Sequence, residues 1–215
     1  MSPLRVDELS AALDALSLAR GDHVLDVGAG RGELARLVVE RHGARVTAVD
    51  RSAEACARAR AATSGLPVEV IEADIGTFIA SSGCPRALGA ACAVGSVHAF
   101  GSGRASWERA RESLAPLARV VLVADLVALG ERSASCFDLA SLEPLSSRLG
   151  EPLLVLPPSR VLAYERAWCA AVEAHLTTHP HDPRNAWAIQ RLEWSRSAET
   201  STAFAETAFA VFVIE

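Results

Sequence analysis

Apolar residues recur at helical spacing in the first twenty positions. Leu9, Leu13 and Leu16 share one face of a helix over residues 5–19, which Arg20-Gly21-Asp22 ends. A short apolar run, HVLDV (23–27), predicts a strand. RGELARLVVERHG returns to helical spacing, with Leu34, Leu37 and Val38 on one face and Gly43 as its stop. The alternation then repeats. ARVTAVD (44–50) predicts a second strand, and Ser52 with Glu54 the capped start of another helix. VEVIEAD (68–74) predicts a third strand and GAACAVG (89–95) a fourth, RASWERARESL (104–114) a helix, and RVVLVAD (119–125) a fifth strand.

The pattern loosens after residue 125. EPLLVLP (151–157) predicts a sixth strand, and residues 160–177 a helix with Tyr164, Trp168, Ala171 and His175 near one face. HPHDP (179–183) breaks that helix; Asp182 caps another with Pro183 at its first position. TAFAVFVIE (207–215) closes the chain as an apolar strand.

Strands alternating with helices at this spacing form βαβ units, and near-continuous apolar strands belong to a sheet covered on both faces. The expected fold is α/β: a Rossmann-like, doubly wound, seven-stranded, mostly parallel sheet with an antiparallel last strand and helices on both faces. At 215 residues, half of them hydrophobic, the chain suits one domain. That domain divides into an N-terminal helix (1–22), a cofactor-binding core (23–125) and substrate-side helices with closing strands (126–215).

Composition narrows the function. The net charge is −5 and no Arg cluster is free of acids, which argues against nucleic acid as a partner. All 21 basic residues are Arg, so neither a Walker A lysine nor a Schiff-base lysine exists. The five cysteines (Cys56, Cys84, Cys92, Cys136 and Cys169) form no CxxC pair, and residues 1–20 do not read as a signal peptide. No apolar run approaches the roughly 20 residues that span a bilayer. A cytoplasmic protein without a membrane partner, monomeric or homodimeric, is expected. His23, His42, His175, His179 and His181 lack metal spacing, so no metal is expected.

VLDVGAGRGE (24–33) carries the chemistry. Gly28, Gly30 and Gly32 let backbone approach a ligand at a helix N-terminus. A dinucleotide motif wants its third glycine at position 33, where this chain has Glu33. A carboxylate in the first helical turn repels a pyrophosphate; a cofactor without phosphate meets no such objection. Asp50 ends the second strand and Asp74 the third, both at the carboxyl ends where parallel sheets bind ligands.

In their order and spacing, VLDVGAGRG, VTAVD and VIEAD resemble motifs I, II and III of the class I S-adenosylmethionine-dependent methyltransferases, the likeness spanning residues 20–125. The resemblance implies S-adenosyl-L-methionine as cofactor. Gly28, Ala29, Gly30 and Gly32 would line its methionine tail, with Asp26 in the same motif. Asp50, with Arg51 beside it, would take the ribose hydroxyls. Asp74 would bond the adenine amine beside the Ile75 backbone, and Gly95 would close on the methionine moiety.

His98, three residues past Gly95 in AVGSVHAFGSG (93–103), is the candidate general base; the alternative is a structural imidazole bonding the loop backbone. Together with YERAW, HPHDP and the closing strand, this stretch resembles bacterial small-molecule methyltransferases. It implies Tyr164, Glu165 and Trp168 in a helical cover over the substrate, with Asp125 on the substrate wall. Two segments depart from the family: APLAR (115–119) stands where Pro-Gly-Gly is usual, and ADLVALGE (124–131) lacks the usual acid-Gly-aromatic-Trp. They leave open a cofactor-binding protein that does not methylate, or one that uses the aminopropyl carbon. An NAD(P) oxidoreductase is the remaining alternative.

Overall fold

The structure, a computed structural model, describes residues 3–101, 105–129, 139–182 and 185–215. Cys136, Pro183, the last two residues of AVGSVHAFGSG and of ADLVALGE, and Arg104 at the start of RASWERARESL lie outside them.

Seven strands form one sheet: β1 (His23–Val27), β2 (Arg45–Asp50), β3 (Val68–Glu72), β4 (Leu88–Val94), β5 (Ala118–Ala128), β6 (Leu154–Leu156) and β7 (Thr207–Ile214). Their order is β3-β2-β1-β4-β5-β7-β6. β1 to β5 pair in parallel, and β7 runs antiparallel between β5 and β6. This is the fold expected from the sequence. The order reverses direction at β1 and β4, and a crevice opens outside the carboxyl ends of strands at such a point.

The pleat sends alternate residues of β1 to opposite faces. Leu25 and Val27 join a core with Phe78, Trp107 and Phe212, in which Trp107 meets Phe212 edge to face at 5.6 Å. Val24 joins the opposite core with Leu13, Leu34, Val38 and Phe209. Asp26 shares the parity of Val24 and is flanked in register by Ala48 and Cys92. A carboxylate is thereby held inside the sheet, with only 3% of its surface exposed.

The helices are α1 (Val6–Asp14), α2 (Glu33–His42), α3 (Ala53–Ala62), α4 (Ile75–Ala80), α5 (Ala105–Leu114), α6 (Leu142–Leu149), α7 (Pro158–Thr178), α8 (Asn185–Arg196) and α9 (Ala198–Ala205). α2 ends at Gly43 in the left-handed conformation, and Ser52 caps α3 by accepting from the Ala55 N–H, both as the sequence predicts. α1 stops five residues earlier than its pattern suggests, although Leu16 beyond it remains fully buried. β5 runs longer than expected because β7 pairs with it from Val121 to Ala128. α4, α6 and α9 carry no clear periodic signal and were not expected. α7, α8 and α9 pack on one another beside the carboxyl end of the sheet.

Gly32 caps α2 at φ +79°, and a Cβ there would lie 3.2 Å from both the Ala59 backbone and the Thr63 methyl. Gly32→Ala is expected to lower stability by about 1–2 kcal/mol through left-handed strain and the α2–α3 contact. Chemical denaturation checks this; an unchanged midpoint would refute it.

Candidate active site

The glycine turn is built from backbone hydrogen bonds. The Gly28 and Ala29 N–H groups both donate to the Val49 carbonyl, at 2.8 and 3.1 Å, and Gly32 N–H donates to Ala29 at 2.8 Å. Gly28 sits at φ +68°, and a Cβ there would fall 2.5 Å from that of Ser96. The Ser96 hydroxyl in turn donates to the Val27 carbonyl. Only glycine permits this approach between the ends of β1 and β4.

Asp50 braces the turn. One carboxylate oxygen accepts from Gly30 N–H at 2.9 Å, the other from Ser52 N–H at 2.9 Å. This joins the glycine loop to the start of α3.

Above these groups lies a cleft of about 530 Å³, walled by Asp26, Gly28, Ala29, Gly30, Glu33 and Tyr164 among others. Asp26 is its most unusual member. One of its oxygens is buried and has no hydrogen-bond partner. Burial, then repulsion from Asp50, lifts its carboxyl from the ordinary 3.8 to about 7, against a backbone N–H from Ala35. A buried carboxyl in a cleft wall, with hydrogen-bonding capacity unfilled, is fitted to a cationic ligand group.

A second chamber of about 450 Å³ adjoins the cleft. Its wall contains Gly95, His98, Asp125, Tyr164, Glu165 and Trp168. Residues from β4, β5 and α7, scattered over 70 positions of sequence, thus converge on one space. Tyr164 belongs to both cavities, and the neighbours Val94 and Gly95 divide between them. The end of β4 is where the two cavities meet.

His98 sits on a 3₁₀ turn, Val97–Phe100, with its side chain exposed. Its carbonyl accepts from Gly101 N–H, but among the described residues no hydrogen bond restrains its imidazole. Asp125 lies on the floor. Its oxygens accept from Val97 N–H at 3.0 Å and Leu126 N–H at 2.8 Å, which fixes the loop that carries His98. Burial raises its carboxyl above the usual range, opposed by those two donors and by His98. The Tyr164 hydroxyl is buried without a partner. Burial, with the Glu165 and Glu33 carboxylates nearby, pushes it up to about 12, so it stays a neutral donor.

Several expected cofactor residues lie elsewhere. Gly32 stands behind the loop against α3, as described, rather than on the cleft wall. Arg51 is exposed and, like Asp50 beside it, lines neither cavity. Asp74 caps α4, accepting from the Thr77 N–H at 3.1 Å, and with Ile75 is outside both cavities. Gly95 faces the chamber rather than the cleft.

Other wall residues carry no sequence signal. Leu4 joins the cleft and Pro3 the chamber because the N-terminal segment is clasped to α7, where Arg160 meets Glu8 at 3.0 Å and reaches the Pro3 carbonyl. Arg191 of α8 and Phe204 of α9 enter the chamber from elements brought there only by helix packing. Among the described residues no group of three or more His, Cys, Asp or Glu side chains is placed to hold a metal, and no helix is long and apolar enough to cross a membrane.

Residues 24–117 match the model of a methyltransferase domain. The matched span holds the glycine turn, Asp26, Asp50 and His98, and with them most of the cleft wall and part of the chamber wall. Solved structures extend the fold over nearly the whole chain. YjhP from Escherichia coli is 19% identical with a TM-score of 0.77, the alignment covering 99% of this chain and 93% of that one. A SAM-dependent methyltransferase from Geobacter sulfurreducens, solved with S-adenosyl-L-homocysteine, is 22% identical with a TM-score of 0.75, covering 99% and 91%. One from Thiobacillus denitrificans, with the same ligand, is 20% identical with a TM-score of 0.74, covering 99% and 92%. At these identities the likeness shows that the fold is shared, and the fold alone. No curated protein matches the sequence.

Proposed function

We propose that the protein transfers a methyl group from S-adenosyl-L-methionine to a small molecule held in the chamber beside His98. The Asp26 carboxyl in the cleft wall carries this reading: it is buried, and one of its oxygens has no hydrogen-bond partner. It awaits a cation, and S-adenosylmethionine brings an α-ammonium and a sulfonium. A dinucleotide would set its pyrophosphate against Asp26 and Glu33. The two solved relatives holding S-adenosylhomocysteine support the same choice.

Asp26 and the Gly28–Gly30 backbone would hold the amino-acid end of the cofactor. Asp50, with its remaining lone pairs, would take the ribose diol. The cofactor supplies a methyl already activated on sulfur. The protein's task is therefore alignment, exclusion of water and, where the acceptor needs it, removal of a proton. Val94 and Gly95 at the end of β4 would set the line between the two cavities. Tyr164 would close that line from α7 with its neutral hydroxyl. His98, its imidazole unrestrained, would take the acceptor's proton, while Asp125 holds its loop in place.

Titration calorimetry with S-adenosylmethionine, S-adenosylhomocysteine and NADH tests the choice of cofactor. The first two are expected to bind with dissociation constants of about 1–100 μM and NADH much more weakly. Binding of NADH alone would overturn the proposal.

A further inference from the structure

Arg191 is the chamber residue that the reaction proposed above leaves unused. Its Nη1 meets Glu165 Oε1 at 2.7 Å and also bonds the Ser195 hydroxyl, which itself donates to the same Glu165 oxygen at 2.5 Å. The guanidinium lies 4.8 Å over the Trp168 ring and 4.3 Å over the Trp194 ring. Two indoles and the ion pair with Glu165 therefore hold the guanidinium at its plane and at Nη1. The other edge, Nε with Nη2, has no partner among the described residues, yet neither atom is sealed from solvent. That edge is the one that grips a carboxylate through two parallel N–H···O bonds.

Around Arg191 the chamber is mainly apolar, with Leu126, Val161, Phe204, Phe209 and Trp168 in its wall. A guanidinium whose side chain is 28% exposed, fixed on one side and with a donor pair that meets no acceptor among the described residues, is open to a ligand acceptor. Glu165 has already balanced one charge, and its role is to fix the fork. The Asp125 oxygens accept from the Val97 and Leu126 N–H groups, which ties that carboxyl to the loop of His98.

We propose that the methyl acceptor is a small apolar carboxylate, its carboxylate held bidentately by the Nε–Nη2 edge of Arg191. The apolar body then lies against Phe204, Phe209 and Trp168, and the rest of the molecule extends toward His98. This rests on the chamber being the acceptor site of the methyl transfer proposed above.

Calorimetry with 3-phenylpropionate, 3-phenylpropionamide and phenethylamine, one shape with three end groups, tests the assignment in protein saturated with S-adenosylhomocysteine. The carboxylate is expected to bind at least about tenfold more tightly than the amide or the amine. Arg191→Gln is expected to lose about tenfold or more for the carboxylate, and Arg191→Lys to recover little of it, since an ammonium lacks the fork. The double change Glu165→Gln with Arg191→Gln avoids a buried unpaired charge and should lose the carboxylate equally. Affinity for S-adenosylhomocysteine, measured in each variant, should stay within about twofold and reports that the fold is intact.

Tighter binding of the amine, equal carboxylate binding by Arg191→Gln, or no carboxylate binding at about 10 mM would each overturn the proposal. If S-adenosylhomocysteine does not bind while 3-phenylpropionate binds through Arg191, the cofactor reading fails and the carboxylate anchor stands.

Discussion

Asn in place of Asp26 weakens binding of S-adenosylmethionine by about 100-fold and, at the same time, makes the empty protein more stable above pH 7. Both effects come from one buried carboxylate. The lost affinity is that of a charge-assisted contact between Asp26 and the cofactor's ammonium. The gained stability follows from linkage. The folded state holds the Asp26 proton up to about pH 7, mainly through burial, whereas the unfolded chain releases it near 4. Between those values the unfolded state binds fewer protons, so stability falls as pH rises, then levels off. Asn does not titrate and escapes this loss, which is on the order of 4 kcal/mol for a fully buried group.

Denaturant unfolding of both proteins at pH 4.5 and pH 8 reads the effect directly. The variant's advantage should be small at the lower pH and large at the higher. An equal difference at both would show that Asp26 is not the titrating group. Wild-type affinity for the cofactor should climb about tenfold per pH unit up to about 7 and then flatten, whereas the variant's should not change over that range.

Loss of turnover is the second large effect. His98→Ala is expected to lower kcat by about 10²–10³-fold for an acceptor that must lose a proton, with cofactor affinity unchanged. His98 lines the chamber and not the cleft, which separates the two readouts. Transfer of a labelled methyl from S-adenosylmethionine to a small carboxylic acid, followed in single turnover, measures it. Equal rates in wild type and variant would remove His98 from the chemistry and leave alignment as the protein's whole contribution.

How far the site was legible varies from residue to residue. Gly28 and Gly30 announce themselves because a break in an apolar strand requires backbone that other residues rarely adopt. Gly32 belongs to the same pattern, yet its freedom serves a helix crossing with Ala59 and Thr63. Spacing cannot tell those two uses apart. Asp74 has the same ambiguity, since a carboxylate after a strand caps a helix as readily as it binds a ligand. Here it caps α4. Tyr164, Glu165 and Trp168 were recognisable only by family likeness, as a periodic stripe looks the same whether it faces a core or a cavity. Arg191 gave no sign at all. Its local sequence is that of an ordinary polar helix, and its partners lie 23 to 26 residues upstream on α7, apart from Ser195 and Trp194 on its own helix.

By itself, the sequence determined the alternation of strands and helices, the glycine turn and the presence of Asp26 beneath it. These are local matters of side-chain period, left-handed backbone and chain order. Tertiary structure decided what each group faces. Strand register locked Asp26 between Ala48 and Cys92, with almost no surface left to water, and so made an ordinary carboxylate a poised one. The packing of α7, α8 and α9 over the end of the sheet brought His98, Asp125, Glu165 and Arg191 around one chamber. Burial and electrostatic environment are sums over neighbours distant in sequence, and they exist only once the chain has closed on itself.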